Sequence, residues 1–118
     1  MRQPPLIGIV GPYASGKSTL IKLLVEQGYQ CRHIAQEHSY VQDMWKRLTN
    51  PDILIYLDVS YETSLKRKKL NWTKAEYQIQ INRLENARKS ADIVVTTDAL
   101  SPSELVSIVT LQISSLMS

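Results

Sequence analysis

Hydrophobic residues fall along this chain in two alternating rhythms. Leu6–Val10 (LIGIV) is a short continuous apolar run bounded by Pro4, Pro5 and Gly11, and it predicts a strand buried on both faces. Leu20, Ile21, Leu23, Leu24 and Val25 follow at helical spacing, with Gly28 as the stop. Tyr29–Ala35 (YQCRHIA) predicts a second, weaker strand. Ser39–Leu48 predicts a short helix closed by the turn residues Asn50, Pro51 and Asp52. Ile53–Val59 (ILIYLDV) is the clearest interior strand, and Ser60 starts a helix that runs to Leu70. Thr73-Lys74-Ala75-Glu76 is a capping box, in which each end satisfies a free backbone N–H of the other. It opens one long helix to about Ser90, with Tyr77, Ile81, Leu84 and Ala87 as its buried stripe. Asp92–Thr97 (DIVVTT) predicts a fourth strand. Ser101-Pro102-Ser103-Glu104 is a second capping box, and it opens a helix that buries Leu105, Val106, Ile108, Val109 and Ile113.

Strands that alternate with helices imply right-handed parallel crossovers and a sheet covered on both faces. The expected class is α/β: a three-layer α/β/α arrangement with a mostly parallel sheet of four to five strands. The 118 residues suit one domain spanning the whole chain.

Between the first strand and the first helix stands GPYASGKST, residues 11 to 19. Gly11, Gly16, Lys17 and Ser18 match the pattern G-x-x-x-x-G-K-[ST] in full, in the strand-to-helix setting that the chemistry requires. Glycines let the backbone wrap a phosphate without a Cβ in the way, and the N–H groups around Ala14, Ser15, Gly16, Lys17, Ser18 and Thr19 can point inward. The helix N-terminus adds a positive dipole end. Lys17 would reach the β and γ phosphates, and the Ser18 hydroxyl would ligate Mg²⁺.

With this loop the sequence resembles the P-loop nucleoside triphosphate-binding proteins, and among them the small-molecule kinases that act on nucleosides and nucleotides. PDILIYLDVSYETSLKR (Pro51 to Arg67) is similar to their segment in which a buried strand ends in Leu-Asp-Val and a helix carries a basic residue toward a lid. ADIVVTTDALSPSEL (Ala91 to Leu105) is similar to their last strand and its turn, which lies near the nucleotide base. The resemblance implies the P-loop NTPase fold, binding of ATP with Mg²⁺, and transfer of the γ-phosphoryl group to a small hydroxyl or phosphate acceptor. The chain departs from that family in one interval. Only 17 residues (Gln36 to Asp52) stand where the kinases carry an acceptor-binding helical insertion and a further strand ending in an acidic residue.

Composition changes the picture little. The formal charge of +3 suits a polyanionic ligand and is too small to argue for nucleic acid or a membrane surface. Cys31 is the only cysteine, so no intrachain disulfide forms. No segment approaches the ~18 apolar residues of a membrane span, no leader cleavage site follows the first apolar run, and a cytoplasmic protein is expected.

The remaining chemistry needs an acid and a base-rich partner for the loop. Asp58, ending ILIYLD, could hold Mg²⁺ with Ser18 or cap the next helix; Glu37 could be a catalytic base near the acceptor or a solvated loop residue. Arg67, in the run Lys66-Arg67-Lys68-Lys69, could meet the transferring phosphate with its guanidinium fork or lie on a solvated helix face. His33 and His38 are expected to be ordinary hydrogen-bonded residues, and Tyr40, Trp45 and Trp72 to be core or loop anchors rather than base stackers. The alternative to a kinase is a nucleotide-binding module or slow ATPase without a small-molecule acceptor. A homodimer could complete the shortened acceptor region.

Overall fold

A computed structural model describes residues 4–68 and 71–118. Four strands make one all-parallel sheet: β1 (Leu6–Val10), β2 (Gln30–His33), β3 (Ile53–Asp58) and β4 (Ile93–Thr96), in the spatial order β2-β1-β3-β4. Val10 stands opposite Tyr56, and Asp58 opposite Thr96, so the carboxyl ends of β1, β3 and β4 open on the same edge. Helix α1 (Lys17–Glu26) joins β1 to β2. A 3-10 turn (Gln36–His38) and α2 (Met44–Leu48) join β2 to β3. Helices α3 (Tyr61–Lys68), α4 (Lys74–Arg83) and α5 (Glu85–Ser90) lead to β4, and α6 (Pro102–Met117) follows it.

Side-chain alternation divides the core into two faces. Ile7, Ile9, Ile53, Ile55, Leu57, Ile93 and Val95 project to one side, where Leu20 and Leu24 of α1 and Leu105, Val109 and Ile113 of α6 meet them. Val10, Leu54 and Tyr56 project to the other and pack with Ile34, Trp45, Leu84 and Ala87. The central strands β1 and β3 are buried on both faces, as their uninterrupted apolar runs require.

Two elements differ from expectation. The stretch expected to be helical from Ser39 is helical only over Met44–Leu48. Upstream, the Ser39 hydroxyl accepts the Val41 N–H at 3.1 Å, a local bond that competes with helix formation. The long helix after Thr73 is divided at Leu84, whose N–H is shared between the carbonyls of Gln80 (3.1 Å) and Ile81 (3.2 Å). Leu84 and Ala87 are fully buried, whereas Tyr77 and Ile81 are only half-buried. The sheet has four strands, within the expected four to five, and the interval from Gln36 to Asp52 forms turns and a short helix without adding a strand. The buried Gln36 side chain donates to Val41 O (2.8 Å) and Arg83 O (3.2 Å) and accepts the Trp45 N–H (2.9 Å).

Both capping boxes form, Thr73 with Glu76 and Ser101 with Glu104. The expected end of α3 at Lys69 and Leu70 lies outside the described residues. Among the described residues no helix is long and apolar enough to cross a membrane.

Candidate functional site

The glycine loop leaves β1 at Val10 and enters α1 at Lys17. The Ser15 N–H bonds to Pro12 O at 3.2 Å, and two residues take left-handed backbone: Ala14 (φ 66°) and Gly16 (φ 102°). Gly16 is the N-cap of α1. It offers no side-chain oxygen, and the first turn holds no acidic residue. The first N–H groups of a helix have no intrahelical partner, so this end is a positively polarised donor set with nothing of its own to satisfy it. It lines a cavity of about 490 Å³ with Tyr13–Thr19 on one wall, His33, Glu37 and His38 on a second, and Arg67, Thr97, Leu100 and Leu105 on a third.

Lys17 and Glu37 meet at the cavity wall. Lys17 Nζ lies 2.6 Å from Glu37 Oε2, with both side chains buried. The ammonium also donates to Gly11 O and, at 3.4 Å, to Pro12 O. Burial pushes the Lys17 pKa down, and the charge and hydrogen bond of Glu37 work against that shift. Glu37 is therefore no solvated loop residue, being 4% exposed. Its other oxygen, Oε1, and the buried Ser15 Oγ have no hydrogen-bond partner among the described residues. Such orphaned buried atoms are uncommon and mark a place where a ligand or water would complete the polar groups.

Ser18 lies at the cavity and Asp58 does not, so the two residues paired in the sequence reading as metal ligands are not brought together there. Asp58 Oδ2 faces the Arg88 guanidinium at 3.7 Å. Nor does Asp58 hold the start of α3. Ser60 Oγ accepts the Thr63 N–H at 3.2 Å, and Asp98 accepts the Ser60 N–H at 3.0 Å and the Thr63 hydroxyl at 3.1 Å. Desolvation works against the Asp98 charge, but these bonds and the Arg67 guanidinium outweigh it and hold its carboxyl below the usual range. Among the described residues no three His, Cys, Asp or Glu side chains gather to hold a metal ion.

Arg67 lines the cavity, and three of its five N–H donors are engaged by the protein. Nη1 bonds to Ala14 O (3.1 Å) and Thr97 Oγ1 (2.9 Å), and Nη2 bonds to Thr97 O. The Thr97 hydroxyl donates onward to Ser15 O at 2.9 Å, so Arg67 of α3 and Thr97, just past β4, tie down the loop at Ala14 and Ser15. Of the rest of the basic run, Lys66 is exposed on α3, and the Lys68 side chain and Lys69 lie outside the described residues. Replacing Arg67 by lysine removes the fork that spans both carbonyls, and we expect a stability loss of about 1 kcal/mol, read as a lower midpoint in urea unfolding.

On the outer side, the Tyr13 N–H bonds to Gln80 Oε1 at 2.8 Å, and its ring meets Trp72 edge-on at 5.7 Å. Trp72 also packs on Tyr61 and Tyr77, and its indole N–H donates to Ser64 Oγ at 3.1 Å. Trp72 is thus an anchor. So is Trp45, 9% exposed with its N–H on Asn86 Oδ1 at 2.9 Å. Tyr40 is 86% exposed, under the Arg83 guanidinium at 4.5 Å. His33 and His38 line the cavity, His38 Nε2 being 4.0 Å from Glu37 Oε2.

Sequence reasoning did not single out Thr97 or Gln80. Thr97 carried a usable signal as the polar residue ending an apolar parallel strand, where sites in such sheets lie. Gln80 carried none, since its role depends on how α4 docks. No protein-family model matches the chain, and no curated protein matches it significantly.

Proposed function

We propose that this chain is a compact P-loop phosphotransferase of the nucleotide-kinase type, which binds Mg-ATP and transfers the γ-phosphoryl group to a small acceptor. The observation that carries the reading is the buried Lys17 at the start of α1. It follows a strand and a glycine loop and faces Glu37, a buried carboxylate with one oxygen unpartnered. The donor set fits the ligand: the open amides of the first turn and Lys17 suit the phosphates, the Ser18 hydroxyl suits the ion, and Leu100, Pro102 and Leu105 give an apolar wall for the base. Mg-ATP supplies an activated γ-phosphoryl group whose charge the ion partly neutralises.

The chain's own residues bind, orient and move a proton. The amides and Lys17 hold the phosphates in a site partly shielded from water, where charge–dipole interactions are stronger. Arg67 and Thr97 keep the loop in register. Glu37, beside Lys17, is the group poised to accept a proton from an acceptor hydroxyl.

A second reading, a nucleotide-binding module or ATPase with water as acceptor, is favoured by the interval Gln36 to Asp52. Its Gln36 and Trp45 are committed to the protein, in the stretch where an acceptor would be recognised. ATP consumption is measured with and without a panel of nucleosides, nucleotides and small alcohols. We expect turnover to rise at least several-fold with one acceptor class. Turnover unaffected by every member would transfer the assignment to the ATPase reading, and no turnover with no thermal stabilisation by Mg-ATP would sink both.

A further inference from the structure

We infer that Glu37 is an internal competitor for the anion at Lys17, and that it sets a displacement cost which a polyphosphate, with further contacts to make, meets and a single phosphate does not. The inference rests on the reading of the glycine loop as a phosphate site.

An ammonium has three N–H donors, and at Lys17 all three have protein acceptors: Gly11 O, Pro12 O and Glu37 Oε2. A phosphate that engages Lys17 must displace one of them. Two are backbone carbonyls of the loop. Pro12 O is held by the Ser15 N–H, and Gly11 is wedged against Leu57. The third sits on a side chain with rotatable bonds. Glu37 Oε1 has no hydrogen-bond partner among the described residues, and the carboxylate's ion-pair partners there are Lys17 and, at 4.0 Å, His38.

Displacement therefore exchanges one charge-assisted hydrogen bond for another, and the carboxylate regains water that burial had removed. A single phosphate gains little from such an exchange. A polyphosphate also reaches the open amides of the first turn of α1, and the added contacts drive Glu37 off. The carboxylate sets a threshold that a lone phosphate does not cross.

Calorimetric titration with inorganic phosphate, pyrophosphate and Mg-ATP tests this in wild type, Glu37→Gln and Glu37→Asp. The first variant removes the charge, and the second keeps it while shortening its reach. Pyrophosphate is expected to bind about tenfold more tightly to both variants, with inorganic phosphate binding becoming measurable. The gain should vanish when Lys17→Met is added to Glu37→Gln. If wild type binds pyrophosphate or Mg-ATP while neither variant binds pyrophosphate more tightly, the competitor role is refuted and the phosphate site stands. If none of the three proteins binds any of the ligands, the phosphate-site reading itself falls.

Discussion

Replacing Lys17 by alanine is expected to lower the stability of the ligand-free protein by about 3 kcal/mol and to erase its stabilisation by Mg-ATP. The first effect comes from Glu37. Its carboxylate is 4% exposed and one oxygen already lacks a partner, so removing the ammonium 2.6 Å from the other leaves a buried charge uncompensated. Removing one member of a buried pair costs more than removing both, because the survivor keeps its desolvation cost. The double variant Lys17→Ala/Glu37→Ala should therefore be more stable than the sum of its two single variants by about 2 kcal/mol in urea unfolding. The second effect reports on function. Wild type at a hundredfold excess of Mg-ATP over its dissociation constant should gain about 2.7 kcal/mol, and Lys17→Ala none. Equal melting shifts in the two proteins would show that any nucleotide is held elsewhere.

The strands and helices that hold this loop were legible in the sequence for a simple reason. β1 and β3 are central, so both of their faces are buried and their composition is apolar without interruption. The capping boxes at Thr73 and Ser101 were legible because their chemistry is local, a hydroxyl and a carboxylate three residues apart. What was not legible depends on distant partners. The break at Leu84 has no glycine or proline to announce it, and it lies beside the packing of Leu84 and Ala87 against β3. The start of α2 at Met44 rather than Ser39 follows from the Ser39–Val41 turn and from Gln36, which ties the stretch to Trp45 and Arg83.

The site divides along the same line. The strand-to-helix turn at residues 11 to 19 could be read because its glycines and the apolar runs on either side are local in the sequence. The pairing of Lys17 with Glu37 was not legible, since Glu37 is 20 residues away and reaches it from a different crossover. Asp58 was a reasonable choice at the end of β3, yet its side chain faces Arg88. Asp98, not Asp58, holds the start of α3. Strand-end position gives the edge of the sheet a residue occupies, but not the direction of its side chain.

The two loop glycines are required for different physical reasons, and a pair of alanine substitutions should separate them. A Cβ at Gly11 would abut the carbonyl oxygen of Leu57 and stand 2.7 Å from the Ser15 hydroxyl. Leu57 is fully buried in the central strand β3, so its backbone has little room to yield. Gly11→Ala is expected to cost about 3 kcal/mol, and because the loop must lift away from β3 it should also lose most of the stabilisation by Mg-ATP. At Gly16 a Cβ would make only ordinary van der Waals contact, its nearest neighbour being Leu105 Cδ2 at 3.8 Å. The cost there is the left-handed backbone at φ 102°, about 1 kcal/mol for a residue that carries a Cβ. Gly16→Ala should accordingly fold with a small loss of stability, and its nucleotide response should weaken rather than disappear. Urea unfolding without ligand and melting curves with and without Mg-ATP measure both quantities. Equal losses at the two positions would mean that contact with Leu57 does not set the register of the loop.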